Sequence, residues 1–283
     1  MKRTAIVADS TCDLGAELIA RYDVRIVPLD VNLGTKTYLD GVEIDPDAIY
    51  RHYEENRELP RTAAPNMMAF SDVFATCRES AEGVVCFTIS SEMSSTYNNA
   101  RMASMDHENV HVVDTRNLST GGGLVVLAAA EMAERGMEAA EIAAACRALV
   151  SRVDASFVID DLEFLHKGGR CSALAALGAN LLQLKPCITV QDGKMGVSKK
   201  YRGKFGVVLE KYVEERIGDG TDVVCDHVFV THAGCDEDVV KAILTQVKTL
   251  LPDANVHLTR AGCTVSAHCG KNTLGVLFLR KGE

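Results

Sequence analysis

Short β-branched runs alternate with helix-length amphipathic stretches through the first half of the chain: residues 5–8 then 16–22, 84–89 then 94–105, 110–113 then 122–134. Parallel strands need a crossover about as long as a helix, so this alternation predicts an α/β fold built on a mainly parallel sheet flanked by helices. A second block carries candidate strands at 156–159, 187–190, 196–199, 228–231, 256–259 and 274–279, with helices at 204–216 and 237–250. Gln191-Asp-Gly-Lys194 between two of these strands reads as a hairpin turn, which makes the second sheet mixed. The long helical stretch at 139–150 precedes the natural cut. We therefore expect two α/β domains, 1–153 and 154–283.

At 283 residues and 47% apolar, with a mean hydropathy of +0.04, the composition is that of a soluble globular protein. No run of about 18 uncharged apolar residues appears, and Met1-Lys-Arg-Thr leads straight into a strand-like segment. The expectation is a cytoplasmic protein with no membrane insertion. A formal charge of −9 argues against nucleic acid as a partner, because neutralising phosphates requires a basic field. The ten cysteines are spread along the chain without a Cys-x-x-Cys pair and read as small buried apolar residues. Cys225, His227, His232 and Cys235 invite a zinc reading, but the odd offset between the two histidines in a strand sends them to opposite faces. No metal is expected.

Ligands of open parallel sheets gather at the carboxyl ends of strands, and there this sequence is rich in hydroxyls. Asp9-Ser-Thr11 follows the first strand, and Ser90-Ser-Glu-Met-Ser-Ser-Thr96 follows another and opens a helix whose free N–H groups suit a carboxylate or phosphate. Taken singly, either segment is better explained by simple N-capping. Thr62 lies in the loop Arg61-Thr-Ala-Ala-Pro65 before a helix at 67–77. Lys167-Gly-Gly-Arg170 puts two cations in a glycine turn and is followed by the strongly apolar stretch 173–184. That pairing favours an anionic head with a greasy neighbour, although a helix C-cap followed by core would look the same.

Gly-x-Ser-x-Gly is absent, so a serine hydrolase built from Ser94, His268 and Asp9 depends on proximity alone. A P-loop is also absent. Gly121-Gly-Gly123 lacks dinucleotide spacing and fits close helix-on-sheet packing better than a phosphate cradle.

Ile6-Val-Ala-Asp-Ser-Thr11, Thr62 with Pro65, Ile89-Ser-Ser-Glu-Met-Ser-Ser-Thr-Tyr97, the stretch 158–170, Lys185-Pro186, Arg202-Gly203 and Ala267-His-Cys-Gly270 together resemble the DegV family in order and spacing. The likeness covers nearly the whole chain. It implies two α/β domains with a long-chain fatty acid bound between them, no cofactor, and no catalysis by the chain itself. In some members a separate ATP-dependent fatty acid kinase protein phosphorylates the bound carboxylate. By this resemblance Thr62, Ser94 and its neighbour Ser95 hold the head group with His268, while Arg170 and Arg202 meet the phosphoryl group or the partner. Met93, Leu174, Leu177 and Leu181 become candidates for the acyl-chain lining, with Met67, Met68 and Phe70 beside them. Three loops depart from the family pattern: Ala63-Ala64 replaces Ser-Gln, Ser95 replaces a glycine, and Lys271-Asn272 replaces Pro-Gly.

Burying about 15 methylenes at roughly 0.8 kcal/mol each contributes about 12 kcal/mol gross, against about 1 kcal/mol net for each head-group hydrogen bond. The tail would therefore set affinity, and the head contacts position and chemistry. The alternatives are a small serine-type hydrolase or phosphoryl-transfer enzyme using Ser94, His268 and nearby arginines, and a binding module for another amphipathic anion.

Overall fold

The computed structural model describes residues 2–172 and 184–282. Strands β1 (Lys2–Asp9), β2 (Arg25–Val27), β6 (Ala81–Thr88) and β7 (Val110–Asp114) form an all-parallel sheet in the order β2-β1-β6-β7. Nearly every residue of β6 is buried, as expected of a parallel strand covered on both faces. Helices α3 (Met67–Arg78) and α4 (Thr96–Ser104) cover one face through Phe70, Phe74 and Ala100. The opposite face takes α5 (Ser119–Glu134) and α6 (Ala139–Leu149), with α1 (Ala16–Tyr22) packed against them.

The second sheet is mixed and has six strands in the order β10-β9-β8-β13-β11-β12. These are β8 (Val153–Ile159), β9 (Lys185–Gln191), β10 (Lys194–Tyr201), β11 (Val223–Ala233), β12 (Val256–Arg260) and β13 (Thr273–Arg280). The β9–β10 pair is the anticipated hairpin. Asp192 and Gly193 both take positive φ, the requirement of a two-residue turn that matches strand twist. Helices α8 (Phe205–Ile217) and α9 (Glu237–Leu250) cover one face of this sheet, and Ala155, Phe229 and Leu277 on the other join the core around α5. Buried at every residue from Ser119 to Leu127, α5 lies between the two sheets. Its three glycines are packing residues, since a Cβ on Gly123 would stand 2.7 Å from the Cys12 carbonyl oxygen.

A third layer was not apparent in the sequence. Strands β3 (Asp30–Leu33), β4 (Lys36–Leu39) and β5 (Arg61–Ala63) form a small antiparallel sheet. With α2 (Pro46–Asn56) it packs on α7 (Glu163–Gly168) and α10 (Cys263–Cys269) through Val31, Ile49, Tyr50, Phe164 and Ala267.

His227 hydrogen-bonds to His257 at 2.9 Å and to Glu131 at 3.0 Å, whereas His232 accepts from the Cys235 amide. The four residues of the zinc reading thus do not converge, and among the described residues no group of three metal-capable side chains does. None of the ten cysteines, all of them among the described residues, is joined in a disulfide. Among the described residues no helix is long and apolar enough to cross a membrane.

Candidate functional site

The parallel sheet reverses its strand order between β1 and β6, where a ligand crevice is expected outside the carboxyl ends. Asp9 closes β1 and is buried, and its carboxylate accepts from the amides of Thr11 at 3.0 Å and Ile89 at 2.7 Å and from the Thr11 hydroxyl. Burial outweighs these donors and pushes the Asp9 carboxyl up to about 6. The loop after β6 is thereby tied to β1. Ser90 anchors it further, its amide donating to the Asn117 carbonyl at 2.9 Å and its hydroxyl to the Gly193 carbonyl at 2.7 Å.

Thr62 sits on β5 opposite Val31 of β3, and Asn99 of α4 donates to the Pro65 carbonyl at 2.8 Å, fixing the segment that follows. Helix α10 comes from the other end of the chain. Asp40 accepts from the amides of Cys263 at 2.8 Å and Thr264 at 3.1 Å, and Asp13 from that of Gly262 at 2.8 Å. Two buried acidic side chains thus accept from amides at the start of α10, and burial pushes the Asp13 carboxyl up to about 8. The helix carries His268, whose Nε2 shares a 2.8 Å hydrogen bond with Thr62 Oγ1. Burial, aided by the charge of Arg170, pulls the His268 imidazole down to about 4, so it is neutral near pH 7.

A cavity of about 490 Å3 lies between these parts, within the usual range for small-molecule sites. Six of the residues singled out in the sequence line it: Thr62, Met93, Ser94, Ser95, Arg170 and His268. Ile89, Leu118, Met195, Val265 and Cys269 supply an apolar wall that sequence reasoning missed. A signal for part of that wall existed, because Val265, His268 and Cys269 stand at i, i+3 and i+4 and share a helix face. From Leu118, Val265 and Cys269 a narrow apolar slot of about 30 Å3 continues between the start of α5 and the second sheet, past Phe157, Ala233 and Leu277.

On the other side of the Thr62–His268 pair an outer cleft of about 580 Å3 carries Arg57, Arg61 and Lys167. Thr62, Arg170 and His268 line both spaces. The arrangement is an apolar chamber with hydroxyls and an imidazole at one end and cations just beyond.

Other expectations fare differently. Arg202 is exposed in the loop after β10 and is not among the residues lining the cavity. Met67 and Met68 are exposed on α3, and Phe70 belongs to the core beneath the parallel sheet, so none of the three is a wall of the cavity. Leu174, Leu177 and Leu181 fall outside the described residues. Ser94 partly serves its own helix: its hydroxyl lies 2.8 Å from Thr96 Oγ1 and accepts from the Thr96 amide at 3.3 Å.

The hydrolase alternative loses its geometry. Ser94 is bonded to Thr96 and His268 to Thr62, Asp9 is engaged by Thr11 and Ile89, and His268 Nδ1 has no hydrogen-bond partner among the described residues. A triad needs nucleophile to base and base to carboxylate, and neither link is present.

Of the three departures from the family pattern, two are explained by backbone. Ser95 has φ −76° and ψ 0°, which any residue adopts, so no glycine is needed there. Asn272 takes φ +57°, a conformation asparagine tolerates better than most residues. Ala63 and Ala64 both line the cavity.

The sequence profile of the DegV family, described as "Uncharacterised protein, DegV family", matches residues 3–281. A DegV domain-containing protein of Caldanaerobacter subterraneus is 30% identical over 99% of this chain and 100% of its own length. A solved structure from Thermus thermophilus, titled as fatty acid binding of a DegV family protein, is 31% identical with a TM-score of 0.88, covering 99% of this chain and 100% of that one. A stearic-acid-binding protein from Eubacterium ventriosum is 27% identical with a TM-score of 0.86, covering 98% of each chain. With its profile matched almost from end to end and its α/β fold shared with those structures, this chain belongs to the DegV family.

Proposed function

We propose that the protein binds a long-chain fatty acid, its carboxylate between Thr62 and Ser94 with Ser95 at the rim, and its tail against Ile89, Met93, Met195, Leu118, Val265 and Cys269. The observation that carries this reading is the Thr62–His268 hydrogen bond at the polar end of an otherwise apolar cavity. His268 Nδ1 is buried without a partner among the described residues, and a buried acceptor left unpaired costs less than a donor. We therefore assign the imidazole proton to Nε2, which donates to Thr62 Oγ1. The threonine hydroxyl then has its own proton free for a carboxylate oxygen. Fatty-acid binding by the related proteins of Thermus thermophilus and Eubacterium ventriosum supports the ligand class.

The head group would face the outer basic cleft, from which a separate ATP-dependent kinase protein phosphorylates it. An acyl phosphate carries more negative charge than a carboxylate, so Arg170 at the shared wall, and Arg202 on the exposed surface beside a docked partner, would favour the product. The chain itself then needs no catalytic residue.

Native mass spectrometry of the protein purified from a bacterial host should show a co-purified long-chain acid. A protein that remains empty and takes up no added stearate would rule the reading out. With the kinase present, Arg170→Ala and Arg202→Ala should keep the lipid and lose acyl phosphate formation. Equal loss of lipid binding in both would move the arginines into the head-group site.

A further inference from the structure

A second cleft, of about 820 Å3, opens where the loop after β7, the α6–β8 junction, the β9–β10 hairpin and the end of β13 meet; it shares no lining residue with the main cavity and only the apolar Ala155 and Val190 with the slot. Six cations line it, Arg116, Arg147, Arg152, Arg216, Arg280 and Lys281, against two carboxylates, Asp154 and Asp192. In a chain of formal charge −9 this local excess runs against the whole.

The cations divide into two groups. Arg216 and Arg280 both hold the buried Asp154, and Arg280 also pairs with Asp222 at 2.6 Å. Arg116 has Asp114 at 3.9 Å and donates to the Asp192 carbonyl. Arg147 and Arg152 differ, since their hydrogen bonds go to main-chain carbonyls, of Val112 at 3.1 Å and of Arg280 at 2.9 Å. Those bonds orient the guanidinium groups without neutralising them. Lys281 is exposed and has no carboxylate partner among the described residues.

We infer that this cleft is a binding site for a small, multiply charged phosphate-bearing anion, held by Arg147, Arg152 and Lys281. Two oriented guanidinium forks match pairs of phosphate oxygens, and like charges brought to one concave surface repel unless a counter-ion joins them. No aromatic side chain lines the cleft, so recognition rests on the phosphate rather than on stacking with a base. The inference stands apart from the fatty-acid reading.

The test is calorimetric titration of the full-length protein with inorganic pyrophosphate at low ionic strength. The expected result is saturable one-to-one binding that weakens as salt is added. Arg147→Gln combined with Lys281→Gln should weaken it at least tenfold, with stearate loading unchanged as the sign of an intact fold. Should that variant fold poorly, Lys281→Gln alone removes an exposed side chain and should still weaken binding about threefold, the size of one exposed charge contact. Absence of saturable binding, a variant that binds as the parent does, or citrate binding as tightly as pyrophosphate would each overturn the assignment.

Discussion

Thr62 and His268 stand 206 positions apart in the chain and meet at 2.8 Å, and the chemistry of the site turns on the imidazole staying neutral. His268 titrates at about 4 in the folded protein against 6.5 as an ordinary histidine, because burial first and Arg170 second disfavour its charge. The native state therefore binds fewer protons than the unfolded chain between those values. Its contribution to stability is intact above pH 6.5 and is lost as the pH falls toward 4, amounting to roughly 2 kcal/mol by about pH 5. Urea unfolding of the empty protein at neutral pH and near pH 5 should show that loss in the parent and its absence in His268→Gln; identical losses would place the titration elsewhere. A bound carboxylate reverses the balance, so NMR titration of the loaded protein should find His268 titrating higher than in the empty one. Thr62, Ser94 and His268 were singled out in the sequence because each sits in a short motif that resembles the family's, and the structure places all three at one cavity. Met67, Met68 and Phe70 were misread because nothing in a single sequence fixes the rotation of α3 about its axis, and that rotation sent two side chains to solvent and one into the core.

Helices α7 and α10 are each too short to be stable alone, and the contact between them is what aims His268. A Cβ on Gly168 at the end of α7 would lie 2.8 Å from His268 Nδ1, so the helix can approach the ring only through a glycine. Gly169 next to it serves a different purpose, capping α7 with φ +70° in open space. Two adjacent substitutions should then separate. Gly168→Ala is expected to push the ring from Thr62 and weaken stearate binding roughly tenfold, about 1.4 kcal/mol. Gly169→Ala should cost about 1 kcal/mol of stability through its positive φ and leave affinity nearly unchanged. Displacement titration beside thermal unfolding measures both, and a Gly168→Ala protein that binds like the parent would refute the contact's role. The sequence marked Lys167-Gly-Gly-Arg170 as important but could not reveal why, since the partner ring lies a hundred residues away. The longer strands and helices were readable because β-branched runs alternate there with helix-length amphipathic stretches. The layer of β3, β4 and β5 was not: its strands have three or four residues, and β4 shows no alternation of buried and exposed positions.

Across the whole molecule the cavity lies along a seam between distant stretches of chain, with Thr62, Ile89 and Leu118 from one side and Met195, Val265 and Cys269 from the other. Helix α5 closes the inner end because it is buried against both sheets, and its first turn carries the residues that border the slot. Sequence periodicity could place the two sheets in succession, and the family resemblance implied a ligand between them. It could not show that the slot would form where Leu118, Val265 and Cys269 meet, since that requires the packing of α10 against the second sheet. This geometry makes acyl-chain length a property of the junction. Each methylene that enters the slot should add up to about 0.8 kcal/mol until the chain reaches the inner wall. Val265→Phe fills the junction from the α10 side without touching the head-group residues. Affinities measured for a series of saturated acids of increasing length should rise in parallel for parent and variant while the tail stays within the main cavity. The variant should then level off a carbon or two earlier, as a slot of about 30 Å3 allows, with short acids bound normally by both. If the two curves level off at the same length, the tail does not pass Leu118 and Val265, and its path must be sought elsewhere along the cavity wall.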